Sequence, residues 1–144
     1  MSLFQVFDAA GSALGAQTVR LNVTASNLAN ADSVSSSTER TYRARHPIFE
    51  TVLLESAAAN GAAGEPELPN GVRVAGIVES RAPLRAEYRP DHPQANADGY
   101  IFHTNVNVIE EMADMMSASR TYRSNLEVMN TVKQMLLRTL ALGR

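Results

Sequence analysis

Apolar residues recur in a four-three rhythm at both ends of this chain and lose that rhythm in the middle. From Ser2 to about Asn30, the positions Leu3, Phe7, Ala10, Leu14, Gln17, Leu21, Thr24 and Leu28 alternate steps of four and three residues. Six of those eight are apolar, which predicts a helix with one heptad stripe. At roughly 1.5 Å per residue it would be about 45 Å long. Ser2 followed by Gln5 reads as a capping box at its start. Asp8 and Arg20 are the only charges before Asn30, and the side away from the stripe is small and neutral, with Ala9, Gly11, Ser12, Ala13, Gly15, Ala16 and Ser26. A helix with one solvent face normally charges it, so neighbours are expected on more than one side. Gly11 and Gly15 each cost about 1 kcal/mol relative to alanine, and close packing is expected to offset that loss.

Helical rhythm returns from about Asn105 to Leu142. Val108, Met112, Met115, Ser119, Tyr122, Leu126, Met129, Lys133, Leu136 and Leu140 keep the four-three spacing, and eight of the ten are apolar or aromatic. Ile109, Met116 and Leu137 add a second row that widens the face. Asn107 with Glu110 is read as an N-cap and its partner. Glu110, Glu111 and Asp114 near the start, with Lys133 and Arg138 toward the end, match the helix dipole. This second helix would be about 55 Å long.

The middle changes character. The polar run from Asp32 to Thr38 predicts a loop, Tyr42 to Leu54 an extended segment, and Ala57 to Gly71 an Ala/Gly/Glu/Pro-rich loop. Val72 to Val78 alternates as a strand does, and Leu84–Tyr88 and Tyr100–His103 are further short strands between Pro90, Pro93 and Gly99. The fold class is therefore α+β: long terminal helices forming a coiled-coil-like pair around a β-rich insert of two to four strands. Its parts are an assembly helix at 1–31, a loop and β-rich region at 32–104, and a second assembly helix at 105–144.

Composition narrows the chemistry. A net charge of −2 over 144 residues, with Lys133 the only lysine, argues against general nucleic-acid binding. The chain has no cysteine, which removes disulfides, thiolate metal sites and cysteine nucleophiles. The start of the chain lacks the pattern of a secretory signal, and no run approaches the roughly 20 apolar residues of a membrane span. A cytoplasmic location is expected unless the chain leaves by a route that cleaves no signal.

His46, His92 and His103, with Asp91 and Asp98, are the one group that could suggest a metal or an enzyme, but no pair has a metal-ligand spacing. Loop histidines are the expectation. Ser117 and Ser119 lack a nucleophile elbow, and no glycine-rich phosphate loop occurs. Hence neither catalytic residue nor cofactor nor small-molecule substrate is expected. Arg40, Arg43 and Arg45 form a basic group that is either a solvated face or a contact with an acidic segment of an adjacent subunit.

Two long apolar seams joined by a small β insert point to assembly. Each buried Leu or Met is worth about 1.5–3 kcal/mol, and one partner helix cannot cover the wide face of the second. Non-closing, head-to-tail contacts between copies would give a helical filament or tube. Met112, Met115, Met116 and Met129 suit an interface that must fit non-identical neighbours. Two competing classes stay open: a soluble coiled-coil adaptor or export chaperone, and a small enzyme using His92 and Asp98.

Asn22 and then Ser26-Asn27-Leu28-Ala29-Asn30 carry a resemblance to the bacterial flagellar axial proteins of rod and hook. It continues through Thr41–Phe49, Gly71–Val78, Tyr88–Pro93, Gly99-Tyr100, Asn105–Met112 and Ser119–Asn125, leaving aside roughly 56–70. Within that family the chain is similar to the short proximal-rod members, since distal-rod and hook members have larger inserts. The resemblance implies a structural subunit of the basal-body rod that transmits motor torque across the periplasm. It further implies export unfolded through the flagellar type III apparatus without a cleaved signal. Its implied partners are copies of itself and other rod proteins. The assembly interface is then expected at Leu3, Phe7, Leu14, Leu21, Asn27, Leu28 and Asn30 in the first helix. In the second it falls at Val108, Met112, Met115, Tyr122, Leu126, Met129, Leu136 and Leu140. Asn27 and Asn30 are read as residues whose amides bond backbone groups at a subunit junction.

Overall fold

The computed structural model describes residues 3–52 and 71–142. The expectations on Ser2 and on residues 53–70 lie outside them. Helix α1 spans Leu3–Ala29, strands β1 to β5 span Val34–Ser35, Arg45–Val52, Gly71–Glu79, Arg85–Tyr88 and Tyr100–His103, and helix α2 spans Val108–Leu142. The class is α+β, with the two terminal helices packed on each other and antiparallel sheet between them.

The helix ends follow from side-chain chemistry. Asn30 donates from Nδ2 to the Ser26 carbonyl at 2.8 Å, closing the last turn of α1. Its own carbonyl then accepts the Ser33 amide at 3.1 Å and the Ser33 hydroxyl at 2.8 Å, which turns the chain away. At the other helix, Asn107 Oδ1 accepts the Ile109 amide at 3.1 Å, the N-cap bond the sequence predicts. The expected return bond from Glu110 is not made, so the capping box is half complete.

Two separate sheets occupy the middle. One has the order β1-β5-β4 and the other is the β2–β3 hairpin, all antiparallel. The short β1 falls inside the polar run expected to be loop: Val34 and Ser35 pair with His103 and Phe102, a tertiary partner invisible to local sequence. In the hairpin, Arg45 pairs Glu79 at one end and Val52 pairs Gly71 at the other, with a register shift between Ile48 and Phe49.

The hairpin is laid along α1 and pinned at both ends. Ser12 Oγ accepts the Val72 amide at 3.1 Å, and Asn27 Oδ1 accepts the Arg45 amide at 2.9 Å. Those two helix residues lie about 22 Å apart along the axis, close to the roughly 25 Å of an eight-residue strand. The small polar side of α1 thus serves to admit a strand close to the helix. Gly11 and Gly15 do not share in this: nothing lies within 4 Å of where a Cβ would stand on either. The close packing expected around them is absent among the described residues.

The two helices are antiparallel, because Asn27 bonds Glu111 whereas the earlier Arg20 bonds the later Asp114. The buried and half-buried line of α2 runs through Glu111, Met115, Ala118, Tyr122, Asn125, Met129, Val132 and Leu136. The intrachain seam therefore takes every second residue of the predicted stripe and replaces the others by smaller or polar ones. Buried apolar side chains are mostly small: Ala10, Ala16, Val23, Ala44, Ala118 and Val132, with Ile101 the largest.

At Gly99 the backbone turns with φ +79°, and a Cβ there would sit 2.8 Å from Tyr88 Cε2. Gly99→Ala should cost about 1–3 kcal/mol from strain at positive φ, read as a lowered thermal-unfolding midpoint. An unchanged midpoint would show that this turn relaxes freely.

Candidate assembly site

Asn27 is fully buried near the end of α1, and every hydrogen-bonding position of its amide is used. Oδ1 accepts the Tyr42 hydroxyl at 2.8 Å and the Arg45 amide at 2.9 Å. Nδ2 donates to the Arg45 carbonyl at 2.8 Å and to Glu111 Oε1 at 2.8 Å. One side chain thereby fixes four segments: α1, the link before the hairpin, the first residue of β2 and the first turns of α2. Tyr42 is held further by Ser26 at 3.2 Å and by the Arg45 guanidinium, 5.4 Å from its ring centroid.

Asn105 makes a second junction. Its Oδ1 accepts the Ala44 amide at 2.8 Å, and its Nδ2 reaches the Ala82 carbonyl at 3.0 Å and that of Ser80 at 3.4 Å. Thr104 Oγ1 donates to the Ala31 carbonyl at 2.8 Å, tying β5 to the exit of α1. Asn27 and Asn105 together seat the hairpin, the three-stranded sheet and both helices in one arrangement.

Among the described residues, Glu111 is the one charged residue that is buried. Burial pushes its carboxyl above the usual range, against the opposing effect of the Asn27 hydrogen bond and of His46, while Asp114 and Glu110 add to the upward shift. Sequence reading placed Glu111 with the acidic first turns and missed this role. The signal was present: a carboxylate in phase with Met115, Ala118 and Tyr122 occupies a position that otherwise takes an apolar side chain.

The remaining interface candidates divide by side. On α1, Phe7, Leu14, Leu21 and Leu28 are half-buried, Leu3 is exposed, and Asn30 is occupied by the local cap described above. On α2, Met115, Tyr122, Met129 and Leu136 are half-buried in the intrachain seam. Val108, Met112, Leu126 and Leu140 face outward, with Ile109 (79% exposed), Met116 (58%) and Leu137 (58%) beside them. One long face of α2 thus carries large apolar side chains that no other described part of the chain covers.

The histidines are not gathered. His46 and His103 lie on strands, within the two segments read as extended, and the loop residue His92 accepts the Gln94 amide at 3.1 Å. His103 bonds Glu87 at 2.8 Å, and that bond, with Arg89 beside it, holds the Glu87 carboxyl below its ordinary range. Among the described residues no group of three or more His, Asp or Glu is placed to hold a metal, and no helix is long and apolar enough to cross a membrane. Arg43 donates to the Ser80 and Ala82 carbonyls at 3.4 and 3.3 Å, and Arg45 pairs Glu79 at 3.1 Å.

Asn27→Leu would leave the Arg45 amide, the Arg45 carbonyl and Glu111 without this partner, at a cost of about 3 kcal/mol or more, measured by denaturant unfolding. For Glu111 the sign is set by its raised value: the folded chain holds the proton more tightly, so stability falls as pH rises through that value. Glu111→Gln keeps an acceptor for Asn27 and removes the charge. Its unfolding midpoint relative to the parent should be highest near neutral pH, and the gap should close as pH falls into the ordinary glutamate range. A gap independent of pH would contradict the buried-carboxylate reading.

Comparison with known proteins bears on this arrangement at both ends and over the whole chain. Residues 7–35 match the family model described as flagella basal body rod protein, and residues 97–142 match flagellar basal body rod FlgEFG protein C-terminal. The chain is similar to the flagellar basal-body rod protein FlgC of Salmonella typhimurium, 50% identical over 144 residues that cover all of both chains. The protein of that description from Escherichia coli O6:H1 is also 50% identical with full coverage of both. That of Bacillus subtilis is 33% identical over 155 aligned positions, again covering both chains completely.

Proposed function

We propose, from the premise that this chain belongs to the family of flagellar basal-body rod proteins FlgC and is a structural subunit of the rod, that it polymerises through the outward faces of its terminal helices. The observation that carries this reading is the uncovered apolar row of α2, with Ile109, Met112, Met116, Leu126, Leu137 and Leu140 all exposed. A soluble single chain gains nothing by displaying such a row, whereas burial against neighbours is worth about 1.5–3 kcal/mol for each large side chain.

The parts then take distinct roles. The helices at 1–31 and 105–144 form a packed inner layer, and the 32–104 region lies outside them, making lateral and axial contacts. Neighbours are copies of this chain and other rod proteins. Torque passes through many buried contacts at once, since close-packed interiors resist compression. The role is mechanical and not enzymatic. The location is the basal-body rod where it crosses the periplasm, reached through the flagellar type III export apparatus without a cleaved signal.

Met116→Glu tests the reading, because Met116 is 58% exposed and lies off the intrachain seam. Its unfolding free energy should stay within about 0.5 kcal/mol of the parent, while rods fail to form and swimming is lost. Normal rods in that variant would remove the α2 face from the interface.

A further inference from the structure

The arginines of this chain are concentrated at one end of the hairpin. Arg40, Arg43 and Arg45 precede or open β2, and Arg81 and Arg85 follow β3, so five of the thirteen basic residues lie on two short segments. The Ser80 amide donates to the Ala44 carbonyl at 2.7 Å, and Arg43 spans to Ser80 and Ala82, which stitches those segments side by side. Arg40, Arg43 and Arg45 line an open hollow of about 480 Å³. The side chains of Arg40, Arg81 and Arg85 are exposed and have no hydrogen-bond or ion-pair partner among the described residues. Glu39 and Glu79 line the same hollow and Glu79 pairs Arg45, so the charges left without a partner among the described residues are those of Arg40, Arg81 and Arg85.

A matching acidic surface exists elsewhere on the chain. The β4–β5 loop carries Asp91 and Asp98 and no Arg or Lys between Pro90 and Gly99. Neither carboxylate has an ion pair among the described residues. The loop is firmly built. The Arg89 amide reaches the Gly99 carbonyl at 2.8 Å, and the Asn96 amide reaches the Tyr100 carbonyl at 2.9 Å. Asn96 Oδ1 accepts the amides of Asp98 and Tyr100, each at 2.9 Å. Beside it Tyr88 (62% exposed) and Tyr100 (42% exposed) meet edge to face with ring centroids 5.2 Å apart. Ordered aromatic surface on a rigid loop is typical of the anchor of an interface, since little entropy is lost on contact.

The other unpaired carboxylates fit less well. Asp8 lies alone on α1, and Glu110 and Glu127 are far apart on α2. Asp32 and Glu39 belong to the segment that itself carries Arg40. Among the described residues, Asp91 and Asp98 alone share one rigid element. Arg85 opens β4 and the loop follows its last residue, Tyr88, so basic and acidic surfaces stand at opposite ends of one strand.

We propose that the arginine end of one subunit receives the Asp91–Asp98 loop of a second copy of this chain, as a head-to-tail contact. This rests on the assembly reading above and specifies its outer contact. Exposed ion pairs add little energy individually, so the charges select which neighbour and which rotational position, while the α2 faces supply cohesion. A contact between two different patches of the same chain can repeat without closing into a ring, as a helical rod requires.

The test is a charge exchange in motile cells, with isolated basal bodies as a second readout. Arg40→Glu, Arg81→Glu and Arg85→Glu together should leave the circular-dichroism spectrum and melting midpoint of the purified chain unchanged and reduce swimming to the non-motile level. Asp91→Arg with Asp98→Arg should do the same, and the two sets combined should restore swimming at least partly. Because the chain has no cysteine, Arg81→Cys in one copy and Asp91→Cys in a co-expressed copy should give an oxidised dimer within basal bodies, and neither alone should. Full motility of either reversed set, or loss with no rescue and no cross-link, would overturn the proposal. Neither result touches the helical interface, which fails separately if Met116→Glu assembles normally.

Discussion

A single buried amide determines how the parts of this molecule face one another. Asn27 binds Tyr42, both backbone groups of Arg45 and the Glu111 carboxylate, so the exit of α1, the foot of the hairpin and the start of α2 share one origin. Apolar packing alone would tolerate sliding along the helix pair, because the core is mostly alanine and valine. A fully satisfied polar centre does not tolerate it, since any shift leaves several desolvated groups unpaired. The cost of burying Glu111 is accepted there in exchange for a defined register.

That register decides which surfaces remain outside. With α2 held so that Ala118 and Val132 face α1, the row containing Ile109, Met116 and Leu137 must point away. The division between an inner seam of small residues and an outer row of large ones gives one helix a face for its own chain and a second apolar face that no described residue covers. The Ser12 bond to Val72 completes the arrangement by holding the far end of the hairpin against α1.

Much of this could be read from the residues before any coordinates. Both helices, the strand at Val72–Val78 and the N-cap at Asn107 follow from periodicity and local chemistry. What sequence could not give was the division of the α2 face, because Met112 and Met115 are alike in type and only the position of α1 separates them. Strand β1 escaped for a similar reason: Val34 and Ser35 become strand through pairing with Phe102 and His103, far along the chain. Asn27 was read as a residue of a junction between subunits, whereas the bonds of its buried amide are made within the chain, to Tyr42, Arg45 and a Glu111 that is 84 positions distant. The glycines at 11 and 15 suggested tight packing that is not found among the described residues.

The distance in sequence between Asn27 and Glu111 has a consequence for timing. A polypeptide that emerges lengthwise, beginning with its first residue, presents Asn27 early but cannot complete the amide's bonds until the opening of α2 has followed. Until then Asn27 can bind only Tyr42 and Arg45, and the first helix and the hairpin stand without α2. Completion of the fold is thereby linked to the arrival of 111 of the 144 residues, and a molecule stalled before then lacks the bond that seats α2 on the Asn27 centre.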